Sequence, residues 1–267
     1  MAYAVTMYVK SNQMKTLISM AAAALLLYGC ASTDSSNSDN VKQTEVWQNY
    51  WVEYNEAGDE LTSGCTFRFG GSTGTTLELT RPANVVFQGK ELTSSTGVLI
   101  EGVIGGTHYS YSGKGFKPEY TFKYTNNDGK TFTNSIGVTK CVVDDVPELL
   151  DAGKTNTFAF KLPPVAPGEH LRVEVTNSQN NWVYIDEPLI DGTSVTIKGS
   201  ELAELGNGTV NVRFQKTKSN ALTEAEHLGG NIGITYNTKQ YQAKLVNANK
   251  PNIDNIDTVQ TIKQQER

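Results

Sequence analysis

Residues 119–138 read EYTFKYTNNDGKTFTNSIGV, a run in which apolar and polar side chains alternate, break at Asn126-Asn127-Asp128-Gly129, and alternate again. Alternation at every second position sends apolar side chains to one face of an extended strand and polar ones to the other. Asn-Asp-Gly supplies the positive-φ glycine of a tight turn, so these twenty residues read as a hairpin. The same grammar recurs along most of the chain, with no intervening stretch of helical period. In a first unit strands are expected over 65–69, 75–80, 84–87, 97–104, 108–112, 119–124 and 130–138. In a second they are expected over 157–162, 170–176, 182–185, 194–198, 209–215, 231–236 and 240–246. Seven or so short strands per unit, punctuated by Gly, Asn and Pro, predict an all-β fold of two tandem antiparallel β-sandwiches. A single barrel of 14 strands is the weaker alternative.

Composition agrees. Of 267 residues, 38% are hydrophobic and 19% charged, with 24 Gly and 12 Tyr, a palette suited to twisted sheets and polar turns rather than to a helical bundle. The net charge is −5, and the basic residues are scattered rather than gathered in a stripe, which excludes nucleic acid as a partner.

Two pairs of segments suggest an internal duplication. PANVVFQGKEL (82–92) and GTSVTIKGSEL (192–202) both run from an alternating strand into Gly-x-Glu-Leu, and the hairpin at 119–136 has a counterpart at 231–245. The expected division is a leader at 1–29, a tether at 30–44, a first sandwich at 45–143, a linker at 144–156, a second sandwich at 157–247, and a polar tail at 248–267.

The stretch SVTIKGSELAELGNGTVNVRF (194–214) resembles the part of immunoglobulin-like and fibronectin type III domains where a strand enters a Leu-rich corner and Gly-Thr begins the next strand. Val210 stands near the position of the corner tyrosine. The resemblance implies a fold and no activity.

At the other end, MKTLISMAAAALLLYGC (14–30) is a secretion signal, with one Lys, an apolar run from Leu17 to Tyr28 and a small residue before Cys30. Met14-Lys15 is a more typical beginning for it than Met1. Leu27-Tyr28-Gly29-Cys30 resembles the lipobox of bacterial lipoproteins, although Tyr28 departs from the usual small residue. The resemblance implies recognition of Leu27 and Gly29 by the lipoprotein signal peptidase and lipidation of Cys30, with the membrane as partner through that anchor. Ala31, rather than Asp, follows the cysteine, which by the sorting rule of such proteins favours the outer membrane of a Gram-negative host. The polar residues Ala31 to Thr44 read as a flexible tether, having too little apolar surface to repay ordering.

With Cys30 lipidated, Cys65 and Cys141 remain in an exported chain, and a disulfide between them is expected. It would close a loop of about 77 residues and contribute about 4–5 kcal/mol. No His, Cys or acidic spacing suggests a metal site, and no cofactor is implied.

Several motifs invite chemistry. Gly70-Gly71-Ser72-Thr73-Gly74 fits the G-x-S-x-G of a hydrolase nucleophile elbow, but that motif needs a strand-to-helix turn, and here TTLELT follows as another strand. Asn126 to Gly129 offers oxygen ligands, too few for calcium, and reads as a turn. VWQNYWVEY (46–54) places Tyr50, Val52 and Tyr54 on one strand face and leaves the role of Trp47 and Trp51 open. Exposed, Trp47, Trp51 and Tyr54 would be candidates for stacking on a ligand; buried, they would seal the base of the sandwich. Trp182 is expected in a core. The chain therefore reads as a non-enzymatic, membrane-anchored envelope lipoprotein, a structural or protein-interaction module, with glycan binding through the Trp47, Trp51 and Tyr54 cluster as the alternative. A hydrolase resting on Ser72 comes last.

Overall fold

The computed structural model describes residues 35–96 and 106–248. The leader, Cys30 with Leu27 and Gly29, the strand expected at 97–104 and most of the polar tail lie outside the described residues.

Among the described residues twenty strands follow one another. The first ten are β1 (Ser35–Asn37), β2 (Val46–Asn55), β3 (Glu60–Phe69), β4 (Thr75–Glu78), β5 (Asn84–Phe87), β6 (Lys90–Glu91), β7 (Thr93–Thr96), β8 (Thr107–Lys114), β9 (Glu119–Thr125) and β10 (Thr131–Gly137). The second ten are β11 (Val143–Asp145), β12 (Leu149–Asp151), β13 (Thr155–Phe160), β14 (His170–Asn177), β15 (Trp182–Ile185), β16 (Leu189–Asp191), β17 (Ser194–Lys198), β18 (Gly208–Ala221), β19 (Gly230–Asn237) and β20 (Tyr241–Val246).

The fold is all-β and consists of two sandwiches that share one large sheet. That sheet runs β1-β4-β3-β2-β19-β18-β14-β15, with β7 and β8 added beyond β3, and β12 and β20 added along β18. Two four-stranded sheets cover one of its faces. β10-β9-β5-β6 lies against the first half, where Tyr50 meets Phe122 at 4.7 Å and Phe67 meets Tyr124 at 4.3 Å between ring centroids. β11-β13-β17-β16 lies against the second half, where Phe158 and Phe160 meet Phe214 at 5.2 and 5.0 Å. The inward residues of each strand alternate with outward ones, as in β2, where Val46, Tyr50, Val52 and Tyr54 are buried. The large sheet stays open, which rules out the barrel. The corner at 199–207 carries the chain from β17 in a small sheet to β18 in the large one, and Leu202 and Leu205 are buried there.

The two halves join through β2 and β19, which pair in parallel from Gln48 and Gly230 to Asn55 and Asn237. Polar contacts brace this seam. Asn237 Nδ2 donates to Glu53 Oε1 at 2.8 Å, and the loop after β18 reaches back to β10, where Asn134 Oδ1 accepts the backbone N–H groups of Thr223 and Glu224 at 3.0 and 3.1 Å. Below it, Lys216 Nζ donates to Glu169 Oε2 at 3.0 Å, and both side chains are shut off from solvent. Glu169 also accepts from the backbone N–H groups of Thr139 and Ala166 at 2.7 and 2.8 Å. Three separate stretches of chain are thus tied at one buried point.

Three expectations are corrected here. The tether does not extend through residue 44: β1 pairs in parallel with β4, and Ser38 and Gln43 are buried. Hydrogen bonds, with Val41 packed against the core, hold it. Ser38 Oγ accepts the Thr80 N–H at 2.9 Å, and Gln43 Nε2 donates to the carbonyls of Ser38 and Val41 at 2.6 and 2.9 Å. The segment expected as a linker at 144–156 contains β12, which extends the large sheet by pairing with β20, and part of β11, which pairs with β13. Lastly, Cys65 and Cys141 are free thiols, both buried. Cys65 sits on β3 across from Tyr50 and Tyr109, whereas Cys141 follows β10 into the region of Lys216 and Glu169. The chain has left the first core by the time it reaches Cys141, so the two sulfurs serve different neighbourhoods.

Candidate functional site

The face of the large sheet opposite the two small sheets carries the aromatic side chains that the cores do not use. Trp51 lies on it because Tyr50 and Val52, its neighbours on β2, point inward. Its two cross-strand partners are both glycines, Gly64 on β3 and Gly233 on β19. The indole leans over Gly64: a Cβ there would stand 2.2 Å from Trp51 Cζ2 and 2.6 Å from the Tyr109 carbonyl oxygen. On the opposite side, Gly233 leaves the backbone bare. A depression of about 480 Å³ opens there, lined by Trp51, Glu53, Thr217, Ser219, Thr235 and His170 among others. The site thus presents one half-buried indole rim, a floor of bare backbone, and hydroxyl groups from two strands.

The sequence candidates separate. Trp51 is at the site and Trp47 is half-buried four residues away on the same strand face. Tyr54 is withdrawn from the list of stacking residues, because it is 4% exposed and faces the core. Its hydroxyl donates to Asp59 Oδ1 at 2.9 Å, and burial, reinforced by the Asp59 carboxylate, pushes its pKa up to about 12. Trp182, expected in a core, is 59% exposed and shares the outer face with Tyr184, 50% exposed. Both stand on β15, which ends the order of the large sheet among the described residues. The Arg172 guanidinium lies over the Tyr184 ring at 4.9 Å from its centroid.

Ser72 lies in the hairpin between β3 and β4, with Gly70 and Gly71 at positive φ, and a strand rather than a helix follows it. The strand-to-helix elbow that would present a nucleophile is therefore missing at this position. Asn126 to Gly129 forms the expected turn, with Gly129 at φ 77° and its N–H bonded to the Asn126 carbonyl at 3.0 Å. Among the described residues no group of three or more His, Cys, Asp or Glu side chains could hold a metal ion.

Sequence reading missed Tyr184, Gly64, Gly233 and the hydroxyls of Thr217 and Thr235. Tyr184 had a signal, since Trp182 and Tyr184 alternate on one strand face. The glycines had none, because their role comes from strands that are distant in sequence and lie side by side in the sheet.

No family model matches the chain, and no curated protein matches it. Among solved structures it is similar to a Bacteroides ovatus protein of a mixed-linkage glucan utilization locus, SGBP-B, in complex with a mixed-linkage heptasaccharide. The identity is 8%, covering 83% of this chain and 67% of that one, with a TM-score of 0.23. It is also similar to the titin Ig tandem domains A164-A165, at 11% identity, 76% and 96% coverage and a TM-score of 0.21. A third is the Yersinia pseudotuberculosis adhesin InvE, at 15% identity, 73% and 59% coverage and a TM-score of 0.19. At such scores the functional reading rests on this chain's own geometry.

Proposed function

We propose that this is a non-catalytic, lipid-anchored protein of the bacterial cell envelope that binds glycan on the outer face of its large sheet, with Trp51 as the stacking platform. The observation that carries the reading is the Trp51 ring laid over Gly64 beside a depression lined by Thr217, Ser219 and Thr235. An indole face offers large contact area to the C–H groups of a sugar ring, and hydroxyls and a carboxylate at its edge can pair with sugar hydroxyls. The anchor is Cys30 in Leu27-Tyr28-Gly29-Cys30, processed from a leader beginning at Met14 and sorted to the outer membrane.

Two experiments test the two parts. Tryptophan emission of the mature protein should shift on titration with a panel of neutral oligosaccharides, and Trp51→Ala should lose that binding; emission unchanged across the panel defeats the glycan reading. Cys30→Ala should release the protein from membranes with its fold intact, and continued tight membrane association defeats the anchor.

A further inference from the structure

The Trp51 site and the Trp182/Tyr184 pair lie on one face of one continuous sheet, and their separation can be read from the registers. Trp51 is level with Gly233 on β19 and Ser219 on β18. Tyr184 is level with Glu174 on β14 and Arg213 on β18. Four strand spacings separate β2 from β15, roughly 19 Å, and the six residues from Ser219 to Arg213 add roughly 20 Å along the strands. The two aromatic positions are therefore about 28 Å apart on a diagonal in flat projection, the span of a linear chain of about half a dozen sugar rings.

The surface between them suits a neutral hydroxylated ligand. Its two arginines are matched within the face, Arg172 by Asp186 and Arg213 by Glu174, while the Glu53 carboxylate is held only by the neutral Asn237 amide. An ionic ligand would have to displace these partners. At the end of such a path Trp182, 59% exposed, and Tyr184, 50% exposed with Arg172 over one ring face, offer aromatic surface for a second stacking contact.

Resting on the glycan reading above, we infer that the ligand is an extended, neutral, linear polysaccharide laid diagonally across the shared sheet from Trp51 to Tyr184 and Trp182. The fusion of the two halves through β2 and β19 holds the two ends at fixed distance, so the second contact is made without the entropic cost of bringing two mobile domains together.

The test is calorimetric titration of the mature protein with linear gluco-oligosaccharides of three to eight rings in α1→4, β1→4 and β1→3 linkages. For the linkage that binds, affinity should rise by about tenfold or more between three and about seven rings and then level off. Trp182→Ala with Tyr184→Ala, both at exposed positions, should abolish that rise and leave the affinity for three rings unchanged, while Trp51→Ala should lose both. Affinity independent of chain length, or a rise that survives the β15 double variant, overturns the inference and leaves the Trp51 site standing. Absence of binding at every length overturns both for neutral glucans.

Discussion

The Lys216 ammonium stands 3.0 Å from Glu169 Oε2, with both side chains removed from solvent, and Glu169 is in turn held by the Thr139 and Ala166 backbone. Burial works to raise the Glu169 pKa, but these N–H donors and the ammonium outweigh it and hold the carboxyl below its ordinary value. Removing one partner leaves the other charged and unpaired in the interior. Lys216→Met or Glu169→Leu should each cost about 3–5 kcal/mol by denaturant unfolding, and the two together should cost much less than the sum.

The same pair sets the acid limit. A carboxyl whose folded pKa is depressed contributes stability above the ordinary carboxylate pKa, and that contribution is lost as pH falls through the folded value. Glu169→Gln should therefore flatten the acid side of a plot of stability against pH while lowering its plateau.

On the alkaline side the buried thiols take over. Burial raises Cys65 well above its ordinary value and pushes Cys141 from 9.0 to about 12, the nearby Lys216 charge opposing the shift. The unfolded chain ionises first, so stability present below about pH 9 should decline as pH rises towards 12. Because the thiols are free, a reductant should leave the unfolding midpoint unchanged, and a thiol reagent should label Cys65 and Cys141 only after unfolding. A midpoint lowered by reductant would show that Cys65 and Cys141 are bridged in the folded protein.

The seam between the halves predicts a single calorimetric transition rather than two. Gly230 is its sensitive point, since it sits at φ 155° and a Cβ there would stand 1.9 Å from the Gln48 carbonyl oxygen. Gly230→Ala should lower stability by about 1–3 kcal/mol. Two separate transitions in the unaltered protein would show that the sandwiches fold independently.

Gly64→Ala tests the platform. The added methyl meets both Trp51 and the Tyr109 carbonyl, so the indole must swing off the sheet. Tryptophan emission should move to longer wavelength and glycan binding should fall with it, at a stability cost of about 1–3 kcal/mol.

What the sequence disclosed and what it withheld divide along a physical line. Period-two alternation is local, and it located β5, β15 and β17 to the residue and eight others to within a few. It began β3 five residues late, ended β18 six residues short, and listed no strand for β1, β2, β6, β7, β11, β12 or β16. It also assigned Tyr50, Val52 and Tyr54 to one face. Parallel pairing of β2 with β19 joins residues with no turn between them, and nothing local announces it. Polarity misled for residues 35–44, because a short segment can be held by side-chain hydrogen bonds to Thr76 and Thr80 with little apolar burial. Trp182 misled in the opposite direction: a large ring on an edge strand need not face a core. Cysteine counting failed because parity and compartment say nothing of where each sulfur lies in space.

The parallel registers of β1 with β4 and of β2 with β19 have a mechanical consequence. β2 is flanked by ten paired positions on β3 and eight on β19, all with hydrogen bonds lying across the strand. Tension drawn along β2 between the proposed anchor at Cys30 and the proposed ligand would load those bonds together in shear, instead of opening them one after another like a zipper.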